Sequence, residues 1–172
     1  MLEVEIEAEG AKRKIVNVKV EYVKILTDNY ISKDFKYSEF ACPCCGKDRP
    51  LDPRLIYLLQ NLRDKINEPI KISIGGAMRC KKYNKKIKGY VDSPHLYGKA
   101  ADIFVKGMDI IELADQAKRI GFSRIGLYPF SHFVHADIIR PYPSESWVRD
   151  IQGRYIYFKS LDGAITYLKD NL

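Results

Sequence analysis

Residues 92–104, "DSPHLYGKAADIF", place His95 seven residues ahead of Asp102 with Gly98, Ala100 and Ala101 between them. Glycine permits the sharp reversal that folds Asp102 back toward His95, and the small alanines pack beneath it. "AADIFV" reads as a buried strand that Asp102 begins. The chain has three histidines, and the other two, His132 and His135, fall in "SHFVHADII", residues 131–139. Alternate residues of a strand share a face, so Phe133, His135 and Asp137 point one way. Two imidazoles and a carboxylate, His95, His135 and Asp102, are expected to meet at one spot.

Outward from that pair, periodicity sets the rest. "DPRLIYLLQNLRDKI", residues 52–66, carries Leu55, Leu58, Leu59, Leu62 and Ile66 at helical spacing, with Asp52 as N-cap and Pro53 at the first helical position. "IKISIGG" reads as a strand ending in glycines, and "MDIIELADQAKRIG" as a helix closed by Gly121. "SRIGLYP" and "FVHADII" follow as strands, then "RYIYFKS" as a last strand and "SLDGAITYLKDN" as a short helix capped by Ser160. At the other end Leu2, Val4, Ile6 and Ala8, then Val16, Val18, Val20 and Tyr22, alternate with polar residues around Gly10. That predicts a β-hairpin over residues 2–25, an extension at 1–28 ahead of one domain at 29–172. Mixed helices and strands with short links predict an α+β fold on a largely antiparallel sheet with flanking helices.

A length of 172 residues with 46% hydrophobic and 30% charged residues suits a folded chain with a real core. The net charge of +7 and pI near 9.1 favour an anionic partner: nucleic acid, acidic lipid or the acidic polymers of a bacterial wall. Much of the charge lies in "RCKKYNKKIKGY", residues 79–90, read as a solvated face. The acidic, alternating "MLEVEIEAEG" lacks the basic start and apolar run of a signal peptide, and no segment has the roughly 18 apolar residues of a membrane span. Cytoplasmic synthesis without autonomous export is expected, as is a monomer.

Three nitrogen and oxygen ligands with a fourth position left to water are what catalytic zinc uses. "SPHLYGKAAD" matches a Ser-x-His-x6-Asp signature, "FVHAD" a second one, "DPRLIYLLQNLRDKI" the helix before the first core strand, and "MRCKKYN" an arginine segment followed by asparagine. In these stretches, spanning roughly residues 35–147, the chain resembles the zinc D-Ala-D-Ala carboxypeptidase family, which has the hedgehog/DD-peptidase fold. The resemblance implies Zn2+ on His95, Asp102 and His135. It implies that Arg79 binds substrate or stabilises the oxyanion, and Ser93 becomes a binding residue whose hydroxyl orients His95. Better-studied members carry the general base three residues before the last histidine, where His132 stands here. Asp137, on the face of His135 and matching a His-x-Asp branch, ranks above it. Gly76-Ala77-Met78-Arg79 stands where Ser-Gly-Tyr-Arg is usual, which takes a hydroxyl and a ring from the site's wall.

The implied activity is hydrolysis of peptidoglycan peptide bonds, as a D,D-carboxypeptidase or as an endopeptidase such as a phage endolysin, released to the wall by phage lysis. The alternative is an inactive zinc-binding structural or wall-binding module of the same fold, which His132 in place of a carboxylate favours. Nucleic acid is not expected, since neither a recognition helix nor an aromatic platform accompanies the basic run. In "FACPCCGK", Cys42 and Cys45 form a Cys-Pro-x-Cys-Gly knuckle of the kind that wraps one side of a structural zinc, and Cys80 could add a thiolate. A bridge from Cys80 to Cys44 or Cys45 competes with that, and buried thiols packing a loop is the plainer expectation.

Overall fold

Residues 29–48, 50–140 and 144–171 are described by the structure, a computed structural model. The expected hairpin over residues 2–25 lies outside them. The strand that carries Asp102 is β2 (Ala100–Val105), and its parity sorts the whole sheet. Ala101, Ile103 and Val105 point into the hydrophobic core, while Asp102 points to the other face. β1 (Ile70–Ile72) pairs with one edge of β2, and β4 (Phe133–Asp137) with the other. β3 (Arg124–Tyr128) follows β4, then β5 (Ser146–Arg149) and β6 (Tyr155–Phe158), giving the order β1-β2-β4-β3-β5-β6.

The sheet is largely antiparallel, as expected, except that β3 and β5 run parallel. "ESWVR" was not expected to form a strand: its four strand residues are too short a run for period two to stand out. The strand expected through "IKISIGG" stops at Ile72, where a turn closed by the Gly76 N–H on the Ser73 carbonyl, 2.7 Å, redirects the chain.

Four helices complete the α+β fold of the described residues: α1 (Pro53–Ile66), α2 (Lys81–Lys86), α3 (Ile110–Ile120) and α4 (Leu161–Asn171). The caps follow the sequence. Asp52 accepts from the Arg54 N–H, Asp109 from the Ile111 N–H, Ser160 from the Gly163 N–H, and Gly121 ends α3 in the left-handed region. Leu55, Leu59 and Leu62 of α1 and Leu113, Ala114 and Ala117 of α3 bury against the core face of the sheet. α2 occupies the basic run, and its four lysines are exposed, so that run is a solvated face. The buried residue of α2 is Asn84, whose amide donates to the Tyr90 carbonyl, 2.8 Å, and ties down the loop leading to Ser93.

Candidate metal centre

The sheet face away from the core carries one row of residues in register: Asp102 on β2, His135 on β4, Gly126 on β3, Trp147 on β5. Asp102 and His135 are direct cross-strand partners. His95 comes from outside the sheet, on a 3-10 turn (Pro94–Tyr97) that ends at Gly98 with φ 63°. A Cβ at Gly98 would sit 2.1 Å from the Pro50 carbonyl, so both the left-handed turn and the close approach require glycine. This turn, together with the reversal into β2, carries His95 onto the sheet face.

Three atoms converge there. His135 Nδ1 lies 2.8 Å from Asp102 Oδ1, His95 Nε2 lies 3.1 Å from His135 Nδ1, and His95 Nε2 lies 3.2 Å from Asp102 Oδ1. A tetrahedral ion bound at about 2.0–2.1 Å has ligand–ligand edges of about 3.3 Å, so the triangle is close to one face of a zinc tetrahedron. All three side chains are buried, with His95 2% exposed.

Each of the three side chains is fixed from behind. His95 Nδ1–H donates to the Ala77 carbonyl, 2.9 Å, which leaves the Nε2 lone pair facing inward. Ser93, the expected partner of His95, is buried but caps its turn with no side-chain hydrogen bond; the backbone at Ala77 reaches the ring instead. His135 Nε2–H donates to Asp137 Oδ2, 3.1 Å. Asp102 Oδ2 accepts from Arg79 Nη2, 2.5 Å, while Arg79 Nε donates to the Gly75 carbonyl, 2.6 Å.

Asp137 is 0% exposed, and its oxygens are engaged on every side. Arg124 clamps it through Nε and Nη2, with the shortest bond 2.7 Å, and the Ile139 N–H adds another at 2.9 Å. His132 stands apart: it is exposed, lies in the left-handed region at φ 53° just before β4, and joins none of the site's hydrogen bonds among the described residues.

The electrostatics follow from burial and these contacts. Burial lowers the pKa of His95. For His135 burial pulls the same way, but the carboxylates of Asp102 and Asp137 outweigh it and raise the pKa. Asp102 and Asp137 are held below the usual carboxylate range because His95, His135 and Arg124 outweigh the cost of their burial.

Sequence reasoning missed the wall of the site. Trp147 packs 5.0 Å from His135, centroid to centroid, and donates from Nε1 to the Tyr128 hydroxyl at 3.3 Å. Arg124 lies beneath the indole, 5.7 Å from the ring, and reaches Asp137, its partner in the β3–β4 register. The available signals were the single tryptophan and the arginine opening "RIGLY". The Tyr128 hydroxyl stays protonated well above neutral pH, because burial and the Asp102 charge disfavour its anion.

No helix among the described residues is long and apolar enough to cross a membrane. A family model described as Peptidase M15 matches residues 33–137, which cover His95, His135, Asp102, Arg79 and Asp137. No curated protein matches the chain.

Proposed function

Because this chain belongs to the peptidase M15 family, we propose that it is a zinc peptidase cutting the peptide crosslinks or stem peptides of bacterial peptidoglycan. The observation that carries the reading is the open triangle of His95 Nε2, Asp102 Oδ1 and His135 Nδ1, with sides of 2.8–3.2 Å. Zinc held by these three residues would polarise a peptide carbonyl and bring the pKa of a bound water down to about 7.

The protein's own residues prepare for that chemistry. Ala77 and Asp137 hold the two imidazoles in the tautomers that turn a lone pair toward the ion. Arg79 holds Asp102 by one oxygen, and the rest of its fork is left to meet a substrate carboxylate or a developing oxyanion, a geometry lysine does not reproduce. Tyr128, neutral and bonded to Trp147, offers a further donor on the same face. Asp137 is assigned here to orienting His135 rather than to accepting a proton from water, because Arg124, the Ile139 N–H and His135 already occupy it. The exposed lysines that follow Arg79 along the chain suit an anionic wall polymer.

Zinc-loaded protein incubated with purified peptidoglycan and with an acyl-D-Ala-D-Ala peptide, followed by mass spectrometry of the products, tests this reading. Release of terminal D-alanine identifies a carboxypeptidase, and internal wall fragments identify an endopeptidase. Bound zinc with neither product would sink the peptidase reading and favour a wall-binding module, for which the saturated Asp137 is the supporting observation.

A further inference from the structure

Three of the four cysteines converge on a second site, away from the histidines. Cys42, Cys45 and Cys80 bring their sulfurs within 4.8 Å of one another. Cys44 joins them through a thiol contact to Cys80. The thiols do not simply pack a loop: Cys42 is buried, but Cys44 and Cys45 are exposed and Cys80 is half-buried. Such a cluster, wet on one side, is poor packing and good coordination.

Two of the sulfurs also accept a backbone N–H. The Cys80 N–H donates to Cys42 Sγ and the Tyr83 N–H to Cys80 Sγ, both at 3.3 Å. Such bonds favour the thiolate over the thiol and orient its remaining lone pairs. The knuckle is closed around them by the Gly46 N–H on the Cys42 carbonyl, 2.8 Å, with Gly46 at φ 69°, and by the Cys42 N–H on the Lys47 carbonyl, 2.8 Å. Ions bound by thiolates at about 2.3 Å separate tetrahedral sulfurs by about 3.8 Å, which the cluster accommodates with small side-chain shifts. Lys82, whose charge acts on Cys44, offsets the negative charge that several thiolates would gather.

We propose that Cys42, Cys45 and Cys80, completed by Cys44, form a closed structural site for a thiophilic divalent ion, Zn2+ under cellular conditions. Binding releases the thiol protons to solvent and involves no redox change. The site fastens the loop at residues 42–47 to the backbone position directly after Arg79. The Arg79 N–H in turn holds the His95 carbonyl at 3.1 Å, and the Met78 N–H holds the Phe40 carbonyl at 3.1 Å. The thiolate site therefore braces the segment that presents Arg79 to Asp102. This is a positioning role, and it does not depend on the peptidase reading.

The test uses the full chain, reduced and freed of metal. Added Co2+ should give intense sulfur-to-cobalt charge-transfer bands in the near ultraviolet, which the histidine and carboxylate ligands cannot produce. The bands should persist in His95→Ala and be lost in Cys42→Ser and Cys45→Ser. Each cysteine variant should bind one equivalent of zinc fewer than the unaltered protein. If a cysteine variant fails to fold, the unaltered protein still decides: bound zinc should slow the reaction of its thiols with a disulfide reagent at least tenfold. Absent charge-transfer bands, thiol reactivity indifferent to zinc, or a disulfide joining Cys80 to Cys44 or Cys45 in protein purified with reductant would each overturn the proposal. None of these outcomes bears on the histidine site, whose own failure would show as loss of hydrolysis with the thiolate bands intact.

Discussion

At the scale of single residues, Asp137 and Arg79 show how a candidate metal centre would be held by groups that need not touch the metal. A lost general base and a lost orienting carboxylate leave different traces. If Asp137 took a proton from water, Asp137→Asn would keep full metal affinity and lose turnover. Because its Oδ2 instead accepts from His135 Nε2–H, 3.1 Å, the substitution should weaken zinc binding and turnover together, each by about 10–100-fold, the range for lost partners of metal ligands. Parallel zinc titration and kinetics check this, and undiminished affinity beside lost turnover would return the base to Asp137. The same side chain anchors Arg124, so the amide also leaves a half-satisfied guanidinium under Trp147. Arg79 bridges the Gly75 carbonyl and Asp102 with separate nitrogens of one planar fork. Lysine offers a point charge that can serve one of the two. Arg79→Lys should keep zinc near stoichiometric and cut kcat/KM by about tenfold or more, measured on the substrate that the product assay identifies; unchanged kinetics would remove Arg79 from substrate handling.

At the scale of elements, the site is a property of the sheet's register. Asp102, His135, Gly126 and Trp147 occupy one row across β2, β4, β3 and β5, and the indole lies over the strand that has no side chain at that position. A Cβ on Gly126 would stand 2.4 Å from the indole. Gly126→Ala should therefore expel Trp147 from His135, cost about 1–3 kcal/mol as overpacking does, and lower zinc affinity; denaturant unfolding with tryptophan fluorescence reads both the stability and the displaced ring. Native-like fluorescence and stability would mean that the backbone absorbs the methyl group. Register also explains what could be read beforehand. The parity of "FVHAD" placed His135 and Asp137 on one face, and helix spacing with Asp52, Pro53 and Gly121 placed α1 and α3, because these signals are local. The β3–β5 pairing, the Arg124–Asp137 clamp and the Ala77 carbonyl behind His95 are contacts between segments far apart in the chain, which no window of sequence contains. The role expected of Asp137 turned on the same limit: its parity was visible, but not the arginine that occupies it.

At the scale of the whole molecule, the proton on His135 sets how zinc binding at the candidate centre would respond to pH. Burial disfavours a charged imidazole at both positions, and His95 accordingly stays neutral. His135 lies between two ionised carboxylates, Asp102 at 2.8 Å and Asp137 at 3.1 Å, and holds its proton more tightly than an ordinary histidine. Zinc held at the candidate centre would need the Nδ1 lone pair that this proton occupies, so binding would release it. The sign follows: as pH falls through the raised pKa of His135, the proton outcompetes zinc, and apparent affinity should drop about tenfold per pH unit below that point. The two aspartates do not contribute over the same span, because their depressed pKa values keep them ionised. His95 does not contribute either, since its own protonation is displaced to lower pH. A Cys45→Ser background removes the thiolate site from the measurement, and competition against a chromophoric chelator from about pH 5 to 8 covers the histidine range. In that background the break should fall above the ordinary histidine pKa of about 6.5. Asp137→Asn, which takes away one of the two charges that stabilise the imidazolium, should move the break downward while also weakening the limiting affinity at high pH. A break below the ordinary value in the unaltered site, or one that ignores Asp137→Asn, would show that burial and not the paired carboxylates governs His135.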